Sequence, residues 1–398
     1  MKAMRRTTYY LILGALLTLP TYMTAQRMLD EETALKEALS NHPAIAANNA
    51  EIEATKVKEK TAFALPNPSI GIQSPTGEFY AVGVNQNFDF PIVYSSKAKM
   101  LKAETDVMNK YAEYHISQIK HDVRLALNKA RYHATRIKLL SEQDSILEAI
   151  RDQADRKFKA GQIDFQDASF SSLQYGVIHQ QLIVEQQRYQ NALNDLRMNC
   201  GITDSIVVES WNSTGINSET FQMDNLPQKG GMEAIAAAQT QLAQTEVKFE
   251  KSKVLPGIQL GYLNQARKDA PISMRWQAGI TVPLWFWQYS GAIKSAELRV
   301  TAAEEHEKLV AMQWSNARLN AMNEYQSALS MSNYYINEGL PGAKALEEAS
   351  TRFFSQGLKD HTTHLRTLND VLEYRLGFAE AALALANART EYSFYNNN

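Results

Sequence analysis

The stretch AVGVNQNFDF, residues 81–90, decides how this chain is read. On an extended backbone Val82, Val84, Phe88 and Phe90 share one side, broken only by Gln86, while Ala81, Gly83, Asn85, Asn87 and Asp89 share the other. A second stretch of the same kind occurs in the other half of the chain. In Arg275–Phe286, Trp276, Ala278, Ile280, Val282, Leu284 and Phe286 oppose Arg275, Gln277, Gly279 and Thr281. Shorter alternating partners precede each one, Ser69–Gln73 and Ile258–Asn264, with Ile70, Ile72, Ile258, Leu260 and Tyr262 on their apolar sides. Two hairpins are therefore predicted, with polar loops at Ser74–Phe79 and Gln265–Ser273. Such alternation suits a barrel strand with lipid on one side and a lumen on the other, and it also suits a soluble two-sided sheet. The run Trp285-Phe286-Trp287 at a strand end resembles an interfacial aromatic girdle and favours the membrane. Four strands cannot close a barrel, and an open edge in lipid leaves backbone groups unsatisfied. A membrane reading thus requires two or more chains to share one barrel.

Around the strands the chain is written twice, with a period of roughly 190 residues. Leu65-Pro66 recurs as Leu255-Pro256, Tyr94-Ser95 as Tyr289-Ser290, and Arg156-Lys157-Phe158 with Gly161 as Arg352-Phe353-Phe354 with Gly357. Each copy reads helix, two strands, long helix, turn, helix. The predicted helices are 32–64, 95–157 and 164–199 in the first copy and 232–254, 290–353 and 360–394 in the second. Their apolar stripes are narrow: Leu182, Tyr189, Leu193 and Leu196 face Gln180, Gln181, Glu185 and Gln187 across one helix, as in a coiled coil. The helix 95–157 should be about 95 Å long, matched end to end by the two shorter helices of its copy at about 50 and 54 Å. Gly339-Leu340-Pro341-Gly342 is expected to kink the long helix of the second copy. The fold class is mainly α with a small β part, a duplicated helix–hairpin–helix–helix unit.

The start of the chain reads as a secretory signal, 1–25: Lys2, Arg5 and Arg6, a short apolar core Leu11–Leu19, then Thr24-Ala25. The first structural repeat follows at 26–201 with strands at about 69–90, then a linker at 202–231 and the second repeat at 232–398 with strands at about 258–284. No later stretch approaches the ~18 apolar residues of a transmembrane helix. Of 41 basic residues three lie in the signal, leaving 38 against 43 acidic ones, a balance that excludes a nucleic-acid partner. The single cysteine, Cys200, reads as a small core residue. No phosphate loop, metal-ligand cluster or nucleophile–base–orienter set is present, so no cofactor, no metal and no enzymatic activity are expected. A soluble exported coiled-coil scaffold would explain the helices but not the signal, the hairpins or the aromatic run. An exported hydrolase would need a buried acid–base pair.

The residues also carry a family resemblance. Thr33-Ala34-Leu35-Lys36-Glu37-Ala38-Leu39 with Asn41-His42-Pro43, Ala64-Leu65-Pro66-Asn67-Pro68 ahead of the first strand, and Gln86-Asn87-Phe88-Asp89-Phe90-Pro91 at a strand exit recur in one order. So do the paired tip turns Phe158-Lys159-Ala160-Gly161 and Phe354-Ser355-Gln356-Gly357. In order, spacing and duplication the chain resembles the TolC-like outer-membrane efflux proteins along essentially its whole mature length. The proline-rich lead-in and the Phe-Asp-Phe-Pro exit lean toward the branch serving heavy-metal pumps of the resistance-nodulation-division class. The resemblance implies a homotrimer, a shared transmembrane β-barrel in outer-membrane lipid, and a coiled-coil-like helical barrel crossing the periplasm. It implies docking onto a periplasmic adaptor protein and an inner-membrane resistance-nodulation-division pump. The duct would pass metal ions or small toxic compounds, or secreted protein if it served a type I system.

The resemblance also directs attention to the helix tips. Ala160, Gly161, Gln356 and Gly357 form the adaptor-docking turns. Asp167 falls on a constriction aspartate, and Phe354 and Lys359 fall on its aromatic and basic positions. Thr363 and Arg366 stand where the family prototype carries two further aspartates, so the constriction is less acidic, with Asp164 and Asp360 as partial substitutes. Read without the resemblance, each of these charges is a solvated residue or a helix N-cap. His361 and His364, three apart, read as solvated tip residues, too few for a metal site.

Overall fold

The computed structural model describes residues 27–73, 81–212, 231–264, 271 and 275–396. The signal segment, both hairpin loops apart from Pro271, and most of the linker lie outside the described residues. The first half contains β1 (Arg27–Met28), α1 (Glu31–Asn41), α2 (Pro43–Glu59), a 3-10 turn (Lys60–Phe63), β2 (Ser69–Gln73), β3 (Ala81–Phe88), α3 (Pro91–Lys159), α4 (Phe165–Cys200) and β4 (Ile206–Val207). The second half contains α5 (Gly231–Ser252), β5 (Gly257–Asn264), β6 (Trp276–Thr281), α6 (Phe286–Tyr334), a π turn (Tyr335–Gly339), α7 (Leu340–Ser355) and α8 (His361–Asn396).

The longest helix, α3, has 69 residues and extends for about 100 Å. It holds no glycine, and its one proline sits at the first position, where the missing N–H is no loss. α3 packs against α1, α2 and α4 of its own half and against α5 and α8 of the other. α6 packs chiefly on α5 and α8, and α7 on α8, so α5 and α8 lie between the two long helices. The result is a wall rather than a globule, and its core is a series of small strips. One joins Ala34, Val123, Leu127, Leu193, Leu196, Cys200 and Ile206 beneath the parallel pair β1–β4. Burial there pushes the Cys200 thiol up to about 11, which keeps it an inert apolar filler. Another strip joins Leu140, Leu147, Ile178, Leu182, Leu365 and Leu372 nearer the tips.

Two helix boundaries differ from the sequence reading. The expected single helix over 32–64 is broken at His42, whose ψ of 123° ends α1 and starts α2. Pro43 is the cause: its ring excludes the helical conformation for the residue before it. The imidazole Nδ1 of His42 then accepts the N–H of Ala44 and caps α2. In the second half, Gly339-Leu340-Pro341-Gly342, where a kink is expected, is entered through a π turn. The Leu340 N–H bonds back to the Tyr335 carbonyl, and the helix resumes at once as α7. The wider turn makes room ahead of Pro341, which lacks an N–H and crowds the preceding turn. It also drives the Tyr335 ring onto Gly377 of α8, where any Cβ would collide with the Tyr335 hydroxyl.

The four long strands form one antiparallel sheet in the order β2-β3-β5-β6, with both outer edges unpaired. The register merges the apolar sides of both hairpins. Ile70 lies opposite Val84, Val84 opposite Tyr262, Phe88 opposite Ile258, Ile258 opposite Ile280, and Tyr262 opposite Trp276. This continuous apolar face is exposed, with Ile70 at 74% and Ile280 at 73%. The other face carries Gly71, Ala81, Gly83, Asn85, Gln259, Gly261, Gln277, Gly279 and Thr281. There a glycine repeatedly faces a larger side chain, Gly83 against Leu263 and Gly261 between Asn85 and Gln277, as the inner face of a curling sheet requires. β6 ends at Thr281, short of the expected 284–286, because Pro283 cannot donate to a ladder. Trp285 immediately precedes α6 and Trp287 lies in its first turn, so the aromatic run stands at the strand–helix junction, its two tryptophan rings 5.1 Å apart and exposed.

Candidate functional site

The two turns at the end of the wall opposite the sheet share one hydrogen-bond pattern. Gly161 N–H donates to the Phe158 carbonyl and Gln162 N–H to the Lys157 carbonyl, at 2.9 and 2.8 Å. Gly357 and Leu358 repeat this to Phe354 and Phe353, at 3.1 and 2.9 Å. Both are Schellman closures, and they need a left-handed residue, which the glycines supply at φ 71° and 74°. A Cβ at either glycine would meet nothing within 4 Å, so only the backbone conformation is at stake. Ala160, Gly161, Gln356 and Gly357 are all exposed.

Asp164 and Asp360 serve as N-caps of α4 and α8. The Asp164 carboxylate accepts the Asp167 N–H at 2.8 Å. Asp360 accepts the Thr363 N–H at 2.7 Å and its hydroxyl at 2.6 Å, and these two bonds hold the exposed Asp360 carboxyl below the usual aspartate value. Asp167 reaches across to the other half: its Oδ1 accepts the Thr362 hydroxyl at 3.0 Å. Lys359 turns back into the wall and donates to Thr367 Oγ1 at 2.9 Å and Ser350 Oγ at 3.3 Å. Phe354 stacks on the His364 ring at 4.4 Å with an interplanar angle of 9°.

The two histidines are not solvated tip residues. His364 is buried and its Nδ1 lies 2.9 Å from the Ser350 hydroxyl. His361 is half-buried, with Nε2 2.5 Å from Ser171 Oγ on α4. Burial lowers the pKa of both rings, and Lys359 adds to the effect at His364. The signal for His364 was present in its spacing to Leu368, Val371 and Leu372, the buried stripe of α8. Ser171, Ser350 and Thr362 carried no such signal, because their partners lie on other helices. With Asp167–Thr362, Ser171–His361 and Gln174–Asn369 at 2.6 Å, the return helices α4 and α8 are tied by a short ladder above the turns. Among the described residues no three His, Cys, Asp or Glu converge as a metal-binding group.

Farther from the tip a buried ion cluster binds α4 to α3. Glu185, 1% exposed, accepts from His133 Nδ1 at 2.6 Å and pairs with Arg136 at 3.2 Å and Arg188 at 3.5 Å. Arg136 also reaches Glu380 on α8 at 3.5 Å.

The tip glycines lead to a specific expectation. Valine at position 161 or 357 cannot take a left-handed φ without strain of about 1–2 kcal/mol, whereas asparagine tolerates it. Gly161→Val and Gly357→Val should therefore disturb the turns and leave the sheet, about 100 Å away, intact. Such variants should melt at a lower temperature than the parent with unchanged strand content by circular dichroism, with Gly→Asn close to the parent. An unchanged melting temperature in the valine variants would show that the turns do not need the left-handed conformation.

No family model matches the chain, and no curated protein does. Solved structures do match along nearly the whole chain. A membrane protein from Pseudomonas aeruginosa is 12% identical, with 94% of this chain and 92% of that one covered and a TM-score of 0.76. CusC, described for its transmembrane channel formation, is 12% identical with coverage of 95% and 96% and a TM-score of 0.76. The open state of the MtrE outer-membrane channel from Neisseria gonorrhoeae is 12% identical with coverage of 92% and 89% and a TM-score of 0.72. A helical wall of this length, carrying a four-stranded sheet at one end and paired glycine turns at the other, has the fold of the TolC-like outer-membrane channels.

Proposed function

We propose that the chain is one subunit of an outer-membrane exit duct in a tripartite efflux system, and not an enzyme. The observation that carries this reading is the register of the sheet. It gathers the apolar residues of both hairpins on one exposed face and leaves two unpaired edges, β2 and β6. Lipid suits the face, and copies of the same chain suit the edges. The helices have the same need for neighbours. α6 leaves Leu298, Leu309, Met312 and Leu319 exposed, and α4 leaves Leu173, Val177 and Val184 exposed. Burying two such stripes against each other, at ~25 cal/mol per Å² of apolar surface, favours a closed ring. Three subunits would give the homotrimer of the resembled family, its barrel in outer-membrane lipid and its tube in the periplasm.

In this reading the tip turns meet a periplasmic adaptor. Asp167, Phe354 and Lys359 border the constriction, and the ladder between α4 and α8 holds it narrow. The energy of transport comes from an inner-membrane resistance-nodulation-division pump. The proline-rich lead-in and the Phe-Asp-Phe-Pro exit favour metal ions or small toxic compounds as cargo. Extraction from membranes into detergent should yield a stable trimer, and deletion of the gene should sensitise cells to metals or dyes. A monodisperse, detergent-free monomer after export would overturn the reading.

A further inference from the structure

We propose that the foot of the sheet holds a seat for an anionic phospholipid, with an acyl chain in an apolar groove and the headgroup on Lys60 and Lys97. The inference rests on the membrane reading above and adds a ligand to it. The groove has a volume of about 430 Å³, within the usual range of ligand sites, and lies where the sheet meets the helices. Phe88, Ile258 and Leu260 form one wall, and all three belong to the apolar face of the sheet. Phe63 of the 3-10 turn, Pro91 and Tyr94 form the other. The groove is thus continuous with the face assigned to lipid, on its helical side. Asp89 is the one charged residue that lines it; its N–H donates to the Tyr94 hydroxyl at 3.0 Å, and its carboxylate stands exposed at the rim, so a phosphate head must sit on the lysine side.

Positive charge lies directly beside it. In a 3-10 turn residues three apart eclipse each other, so Lys60 projects from the same side as Phe63. Lys97 follows Tyr94 by one helical turn, and its Nζ donates to the Thr61 carbonyl at 3.1 Å, which fixes it against the same 3-10 turn. Lys56, one turn before Lys60, extends the basic zone. Both are exposed and have no ion pair among the described residues, whereas Lys58 is neutralised by Glu104 at 2.6 Å. An apolar slot beside lysines without ion pairs, at the edge of a face assigned to lipid, is complementary to an acyl chain with a phosphate head, and basic residues at such a surface attract anionic lipid. A zwitterionic lipid would use the slot without the lysines.

The test uses the full mature chain extracted from membranes. Native mass spectrometry reads binding of dioleoylphosphatidylglycerol and of dioleoylphosphatidylcholine, and flotation with vesicles of each lipid reads insertion. Saturable retention of phosphatidylglycerol over phosphatidylcholine is expected. Lys60→Gln and Lys97→Gln should each weaken phosphatidylglycerol binding about fivefold and leave phosphatidylcholine unchanged. Lys60→Arg should bind like the parent, and Phe63→Ser should weaken both lipids. Flotation without headgroup preference, or lysine variants that bind like the parent, would overturn the seat alone. A parent chain that floats with neither vesicle would overturn the membrane reading as well.

Discussion

Arginine at Val84 should prevent assembly in the membrane, while arginine at the adjacent Asn85 should be tolerated. Val84 sits near the middle of β3 on the apolar face, between Ile70 and Tyr262. In the proposed trimer a charged side chain there faces hydrocarbon, at about 2–4 kcal/mol near the bilayer midplane, and the substitution enters every copy of the chain. Asn85 is on the opposite face, opposite Ser69 and Gly261, where an arginine can point into a water-filled lumen. The pair Ile280→Arg and Thr281→Arg should show the same contrast with a smaller amplitude. Ile280 lies opposite Ile258 at the helical end of the sheet, nearer the interface, where the cost falls. Trimer yield in extracted membranes measures both pairs. Equal tolerance on the two faces would show that neither meets lipid.

Removal of Glu185 should have the largest effect on the helical wall. Its carboxylate is buried and holds two cationic partners, Arg136 and Arg188, and the His133 ring in place. Glu185→Ala leaves the half-buried Arg136 with only Glu380 and the Tyr132 hydroxyl and strips His133 of its partner, which costs about 2–3 kcal/mol. Replacing the cluster as a unit, Glu185→Leu with His133→Leu and Arg136→Met, should restore much of that stability, since an apolar set of similar volume removes the desolvation penalty. Thermal unfolding of the single and triple variants separates the cases. A triple variant no more stable than the single one would show that packing, not stranded charge, is responsible. The pH dependence has a definite sign. Burial alone would raise the Glu185 carboxyl, but the His133 hydrogen bond and the Arg136 charge more than offset it, and the group sits below its ordinary value of 4.5. A depressed carboxyl stabilises the fold above its unfolded value and loses that contribution as pH falls through the folded value. The parent should therefore lose stability below about pH 4.5 more steeply than the triple variant.

Features with a short period were legible in the sequence. Strand faces repeat every second residue, and the register then joined the faces of both hairpins without altering either. The tip turns were legible because Arg156-Lys157-Phe158 with Gly161 recurs as Arg352-Phe353-Phe354 with Gly357. The break at His42 was written in Pro43 and still passed over, because the flanking apolar spacing continues across it. Features made by contact between distant segments were not legible. Glu185 looked like one polar residue on a wet helix face, and only the approach of α3 turns that face inward onto His133 and Arg136. His361 and His364 looked solvated because their serine partners are contributed by α4 and α7.

The π turn also bears on how the two halves came to match. Gly161 follows Tyr94 by 67 residues, while Gly357 follows the equivalent Tyr289 by 68. In a plain helix that surplus residue would rotate every later side chain by about 100°, carrying the buried stripe of α7 away from α8 and the second tip out of step with the first. Tyr335–Gly339 takes it up within one wide turn. The bulge thus keeps the buried stripe of α7 on α8 although this segment is one residue longer than its counterpart in the first half. Gly377 of α8 leaves the room that the displaced Tyr335 ring needs, so the longer segment still ends in a glycine turn equivalent to the first.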